Sequence, residues 1–316
     1  MIKGERSAAA TERRLAEMER RLHGIYTEAA GDIRRRWDDF LAPIDKELAK
    51  YQKMREYPGD ADVRKKAEKE YRKVLKEKTL LNKRFRVVSK KIAAELANVN
   101  ARALAYVNGE LPPVFADNYN DITVRIGGDV AEFGGADINV RFDLIDEDTA
   151  RLLATEDTSL LPHKELDKDK DVAWNVRNIR SEVLKGILIG EDIPSIAARM
   201  EQVIGMNEKA AIRNARTMVM GAQNSGRMEG MRRAEGMGVV LKRVWMSADD
   251  GRVRGAHREL DGQMRGMDEA FENALGSIMY PGDPNAHPAN VYNCRCTLGT
   301  EIIGFRDPVT GKVKKV

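Results

Sequence analysis

Apolar residues recur at steps of three and four through the first segment: Leu15, Met18, Leu22, Ile25, Ala29, Ile33, Trp37, Phe40, Ile44, Leu48, Tyr51 and Met54. That spacing lines one face of a helix. Pro43 is expected to kink it, because proline removes a backbone donor and crowds the preceding turn. Tyr57-Pro58-Gly59-Asp60 breaks the pattern. A second stripe then runs through Val63, Ala67, Tyr71, Val74, Leu81, Phe85, Val88, Ile92, Leu96, Val99 and Ala103 and closes at Asn108-Gly109, ahead of Pro112-Pro113. A short connection between two such helices predicts an antiparallel hairpin, an intramolecular coiled coil. An arm of about 45 residues would reach about 65–70 Å.

The pattern then changes. Ile122–Ile126 and Asp137–Phe142 alternate with period two around Gly127-Gly128 and Gly134-Gly135, which predicts a short β-hairpin. Helical spacing returns from Trp174 to Leu188, closed by Gly190, from Pro194 to Ile204, stopped by Gly205, and from about Asn207 to Glu235. Gly221, Ser225, Gly226 and Gly230 are small for a helix interior and predict close packing against a neighbour. Val239–Trp245 reads as a strand, Arg252–Leu260 as a short helix, Asp261-Gly262 as a turn and Cys296–Ile303 as a final strand. The expected class is α+β. Its parts are a helical hairpin arm over 1–110, a connector with the β-hairpin over 111–170, and a mixed domain over 171–316.

Composition narrows the function classes. Of 316 residues, 42% are hydrophobic and 33% charged, with a net charge of +4, which excludes a disordered tail protein. No apolar run of 18 residues exists, so no membrane span is expected, and the N-terminus lacks a secretory signal. Residues 1–107 carry 27 basic and 17 acidic side chains, and residues 108–316 carry 27 and 33. The basic segment suits an acidic partner or nucleic acid. Its alternating signs and lack of interleaved aromatics equally suit a solvated helical surface.

The residues with most chemical potential are His257, His287, Cys294 and Cys296. Thiolates with imidazole suit tetrahedral zinc, although one residue between the cysteines is fewer than structural zinc pairs usually have. The bland alternative is a buried histidine beside two packed thiols. Asp249, Asp250, Arg252, Arg254 and His257 could be drawn as an acid/base site. A capping turn, with Arg254 paired to Asp261, explains them as well. The methionines at 218, 220, 228 and 231 are expected to pack, and Lys312–Lys315 to be solvated.

The order Trp245, Asp249, Arg252, Arg254, His257, Leu260-Asp261-Gly262-Gln263 resembles the core signature of the phage Mu F-like minor head proteins, the phage head morphogenesis domain. Tyr280-Pro281-Gly282-Asp283-Pro284 and Asn293-Cys294-Arg295-Cys296 resemble its second signature. Gly190–Arg199, Ala215–Thr217 and Asn224 match its helical lead-in. The resemblance covers about residues 185–303. It departs from the family where Met218 replaces a frequent glutamate, and where the His-Pro pair sits early, at His287-Pro288. The resemblance implies a non-enzymatic minor capsid protein of a tailed phage or prophage, located in the virion head near the portal vertex and in host cytoplasm before assembly. Its implied partners are portal, capsid or scaffold proteins, with packaged DNA a further contact and no small-molecule substrate. It acts in head assembly, DNA packaging or DNA delivery. His257 lies within the signature, which makes His257, Cys294 and Cys296 the preferred zinc set. The competing classes are a zinc-dependent hydrolase or nuclease and a DNA-binding internal head protein.

Overall fold

The computed structural model describes residues 5–133, 140–157, 159–248, 251–307 and 309–316, with side chains from Ala8 onward. Helix α1 (Glu5–Arg55) has 51 residues, about 77 Å at 1.5 Å per residue. Pro43 sits inside it without ending it. The second apolar stripe is two helices rather than one: α2 (Ala61–Lys78) and α3 (Lys83–Gly109). Thr79 causes the break. Its N–H and its Oγ1 both bond Leu75 O, at 2.9 and 2.6 Å, while Asn82 Oδ1 accepts from Arg84 N at 2.8 Å. Short polar side chains bonding to nearby backbone compete with helix continuation.

The expected β-hairpin is replaced by helix α4 (Leu111–Phe133). Of the expected second strand, Asp137–Phe142, residues 137–139 lie outside the described residues and 140–142 form no strand. Ile122 and Ile126 satisfy both a period of two and a spacing of four. Val124 separates the two cases: it is 61% exposed, whereas Ile122 and Ile126 are fully buried. The stripe Leu111, Phe115, Tyr119, Ile122, Ile126 and Val130 is helical, and Pro112-Pro113 stand in the first turn, where proline is tolerated.

Helices α5 (Glu147–Glu156), α6 (Lys168–Ile189), α7 (Ile193–Ala198) and α8 (Met200–Gly236) follow. Gly190 caps α6 in the left-handed conformation, with φ 79°. Gly205 does not stop the next helix. The break falls between α7 and α8, and α8 runs through Gly205. The remaining elements are β1 (Val239–Met246), α9 (Gly255–Arg258), β2 (Met264–Arg265), β3 (Phe271–Asn273), β4 (Gly276–Ile278), α10 (Pro288–Val291), β5 (Thr297–Arg306) and β6 (Val313–Lys315). Four strands form an antiparallel sheet in the order β2-β1-β5-β6, and β3 pairs with β4. The long β1–β5 ladder runs from Val239↔Phe305 to Met246↔Thr297, with an irregularity between Val240 and Leu241.

The chain divides into two compact units, each assembled from separated segments: Met1–Glu19, Tyr106–Lys164 and Arg213–Val316 in the first, and Arg20–Ala105 and Glu165–Ile212 in the second. The second unit is helical. Its core includes Trp37 stacked on Phe40 at 5.6 Å and Phe85 tilted against Phe40 at 5.9 Å. A buried amide chain joins its helices: Asn100 Nδ2 donates to Asp171 Oδ2 and Asn207 Oδ1, and Asn207 Nδ2 donates to Asn175 Oδ1. Burial pushes the Asp171 carboxyl above its ordinary range. Arg199 closes the α6–α7 turn, with Nε and Nη2 on the Glu191 carboxylate at 2.5 and 2.7 Å and Nη1 on buried Glu182 at 3.0 Å.

Helix α7 starts on Asp192, whose Oδ1 accepts from Ser195 N at 2.9 Å. That bond holds the Asp192 carboxyl below its ordinary range. Asp192→Ala is expected to cost about 1 kcal/mol near neutral pH, the usual worth of an N-cap. A carboxyl whose folded pKa is depressed stabilises above the unfolded value and loses that contribution as pH falls through the folded one. Denaturant titrations of both proteins should therefore differ at pH 7 and converge below about pH 4. A gap that persists in acid would assign the loss to packing instead.

The first unit holds the sheet. Its core gathers Ile122, Ile126 and Val130 of α4, Met228 and Met231 of α8, Leu241 and Trp245 of β1, and Phe271, Leu298 and Phe305. The small residues of α8 make the expected close contacts. A Cβ on Gly226 would overlap the Phe115 carbonyl oxygen, with the Phe115 carbonyl carbon at 3.1 Å, and one on Gly230 would strike Ile122. Met218, Met220, Met228 and Met231 are all buried.

Candidate functional site

The signature residues lie on the sheet and the turns around it. β1 alternates buried and less buried positions, so Val239, Leu241, Arg243 and Trp245 face the core together. Leu260-Asp261-Gly262-Gln263 turns back onto β1: Gly262 N donates to Trp245 O at 2.9 Å and Trp245 N to Gln263 O at 3.0 Å. Gly262 has φ 73°, a conformation that favours glycine. Asp261 does not pair with Arg254 as expected. Its Oδ1 accepts from Ser247 N at 2.6 Å, holding the loop after β1. Asp249 and Asp250 lie outside the described residues. The residue before α9 is Arg254, which makes no side-chain capping bond.

Tyr280–Pro284 is also a packing device. Gly282 has φ 87°, and a Cβ there would fall 2.8 Å from Gly221 Cα, so this turn presses on α8. Pro281 is buried beside it. Asp283 is buried and accepts from Met279 N at 3.1 Å and Asn285 N at 2.9 Å. Asn224, on α8, receives Leu298 N at 2.9 Å and donates to Cys296 O at 3.2 Å, so one side-chain amide extends the backbone pairing of the start of β5.

Three of the four metal-ligand candidates converge. His257, Cys294 and Cys296 are 1%, 3% and 2% exposed, and their ligand atoms lie within 4.8 Å of one another. Cys294 Sγ is 3.5 Å and Cys296 Sγ 3.6 Å from His257 Nδ1. His287 is not among them. It is exposed at the start of α10, where its Nδ1 accepts from Ala289 N at 3.3 Å. Cys294 closes the turn after α10, its N–H on Val291 O at 3.3 Å, and Cys296 immediately precedes β5. Asn293, just before Cys294, has φ 56°, a left-handed value that asparagine tolerates.

The tautomer of His257 follows from its neighbours. Gly276 O can only accept, so the Asn290 amide nitrogen faces it, at 3.0 Å. Asn290 Oδ1 then faces His257 Nε2 at 2.9 Å and Asn273 Nδ2 at 3.1 Å. A carbonyl oxygen cannot donate, so Nε2 carries the hydrogen, and in the neutral ring the Nδ1 lone pair points at the two sulfurs. Trp245 packs edge-on against this imidazole at 5.3 Å and against Phe271 at 5.3 Å. The hydrogen bond from the Cys294 thiol favours the Cys296 thiolate. The same bond and burial push the Cys294 thiol up. A cavity of about 120 Å³ opens beside the cluster, lined by Arg252, Arg254, Asn293 and Arg295.

Two participants were not singled out from the sequence. Asn290 orients His257. Arg243 is fully buried and binds Gly266 O through Nε at 3.1 Å and Nη2 at 2.6 Å, together with Glu269 O and Met279 O. Alternation along β1 places Arg243 on the core face, which is the signal that would have found it.

Residues 177–299 match the family described as Phage Mu protein F like protein. This segment is similar to that family. Over 125 residues, 39% of the chain, it is 33% identical to minor head protein GP7 of Bacillus phage SPP1. The chain spans 40% of that relative's length. No solved structure matches the chain significantly. The Mu F-like segment contains the His257–Cys294–Cys296 cluster, the Asp261-Gly262 turn and the Tyr280–Pro284 turn. Among its signature side chains, Asp261, Asp283 and Asn224 hold turns or the start of β5. Among the described residues, no helix is long and apolar enough to cross a membrane.

Proposed function

We propose that this protein is a minor component of a tailed-phage head, acting non-enzymatically in assembly, packaging or delivery and docking near the portal vertex. The Mu F-like match over residues 177–299 carries this reading, and the minor head protein among its relatives supports it. The packing roles of Asp261, Gly262, Gly282 and Asp283 support a structural rather than a catalytic signature. Several basic side chains of α1 and α2 are paired within one unit, as in Arg34–Glu201, Arg36–Glu95, Arg55–Glu68 and Lys78–Glu47.

Quantitative mass spectrometry of purified particles and proheads, against unassembled cell extract, tests the proposal. The expected result is low-copy presence in heads that retain the portal, and loss from particles assembled without it. Absence from particles and proheads alike would overturn the structural reading. Nuclease or hydrolase activity abolished by His257→Ala would replace it with an enzymatic one.

A further inference from the structure

Nothing in the assembly role requires a buried cluster of one imidazole and two thiols. We propose that His257 Nδ1, Cys294 Sγ and Cys296 Sγ bind one zinc ion, with its fourth coordination position open to the adjoining cavity.

Edge lengths support this. A zinc tetrahedron with Zn–S of about 2.3 Å and Zn–N of about 2.05 Å has N···S edges of about 3.6 Å. The two N···S distances here are 3.5 and 3.6 Å. The lone pair is also presented correctly. Asn290 fixes the hydrogen on Nε2 through its contact with Oδ1, and is itself held by Gly276 O and Asn273. A ligating histidine whose distal N–H is held by a carbonyl is the usual outer-shell arrangement of zinc sites.

Charge and softness agree. Two thiolates neutralise the dication, and the soft donor set selects zinc over magnesium or calcium. The fourth position faces a cavity of about 120 Å³, large enough for water at about 30 Å³ per molecule. The ion would join α9, through His257, to the entry of β5, through Cys294 and Cys296. These segments are 37 residues apart at their nearest ligands.

The test uses the full chain, purified without chelator. Elemental analysis is expected to find about one zinc per chain, and mercurial titration of the two cysteines to release it. Exchange with cobalt(II) should give the intense visible bands of four-coordinate cobalt and a near-ultraviolet thiolate-to-metal band. Cys296→Ser should weaken the thiolate band. Asn290→Ala should weaken zinc affinity in chelator competition by about 10–100-fold, the usual effect of losing an outer-shell partner. If the variants fail to fold, the cobalt spectrum of the unaltered protein still decides. Zinc far below stoichiometry together with a six-coordinate cobalt spectrum, or thiol reactivity unchanged by added zinc, would overturn the proposal.

Discussion

Arg243→Met is expected to destabilise the sheet unit by about 3–5 kcal/mol, the range for removing one side of a buried charged network while its partners stay. The guanidinium is fully buried and lies 5.3 Å over the Phe271 ring. Burial pulls its pKa down to about 10, which expresses the cost of desolvating the cation. The carbonyls of Gly266, Glu269 and Met279 offset that cost. They belong to the backbone and cannot be substituted away, so methionine fills the volume and leaves them unpaired. Arg243→Lys should recover only part of the loss, because an ammonium on a flexible stem cannot reproduce a planar fork that spans three acceptors. Native-state hydrogen exchange reads the effect locally. Protection of the β1 and β5 amides should fall by about two to three orders of magnitude, while amides of α2 and α6, in the other unit, keep theirs. Unchanged protection in β1 would show that the clamp contributes nothing net.

The second large effect concerns the seam between α4 and α8. Gly226→Ala places a methyl group on the Phe115 carbonyl oxygen, with the Phe115 carbonyl carbon and Cα at 3.1 and 3.2 Å. The obstacle is backbone, so no rotamer change relieves it, and the helices must separate. Overpacking of this kind costs about 1–3 kcal/mol or more. The gain in helix propensity from glycine to alanine returns about 1 kcal/mol. We expect a net loss of about 2 kcal/mol, and for Gly226→Leu no stable sheet unit. Gly205→Ala, in the same helix with nothing within 4 Å of the new Cβ, should gain about 0.5–1 kcal/mol from propensity alone. Opposite signs for the two alanine variants in urea titrations would separate packing from propensity. A gain at both sites would refute the close seam.

The helices with long stripes were legible because many turns repeat the same spacing, as from Met18 to Leu48. β1 was legible for the same reason, with a period of two. Short runs were not. Ile122, Val124 and Ile126 fit strand and helix alike, and only the exposure of Val124 distinguishes them. The split at Thr79 was hidden because Val74, Leu81 and Phe85 keep helical spacing across it, although Leu81 is exposed. That the fold brings His257, Cys294 and Cys296 together was foreshadowed by residue types and signature order, and His287 was not separable from them by type. Asn290 acts by a contact 33 residues away in sequence, which no local pattern records, whereas the core-facing position of Arg243 could be read from the alternation of β1. The expected Arg254–Asp261 pair does not form; Asp261 Oδ1 accepts from Ser247 N instead.

The interleaving of the two units bears on how such chains can be recombined between genomes. The Mu F-like match runs from 177 to 299, so it begins inside α6 and ends inside β5. Its core partners Ile122, Ile126 and Val130 come from α4, and the carbonyl that fixes Gly226 belongs to Phe115. A crossover at the edges of the similarity would therefore sever a helix and a strand and import a sheet without the helix it closes against. Inheritance should favour exchange that carries α4 together with everything from α8 to β5. Divergence outside the match should be constrained most strongly at the buried face of α4.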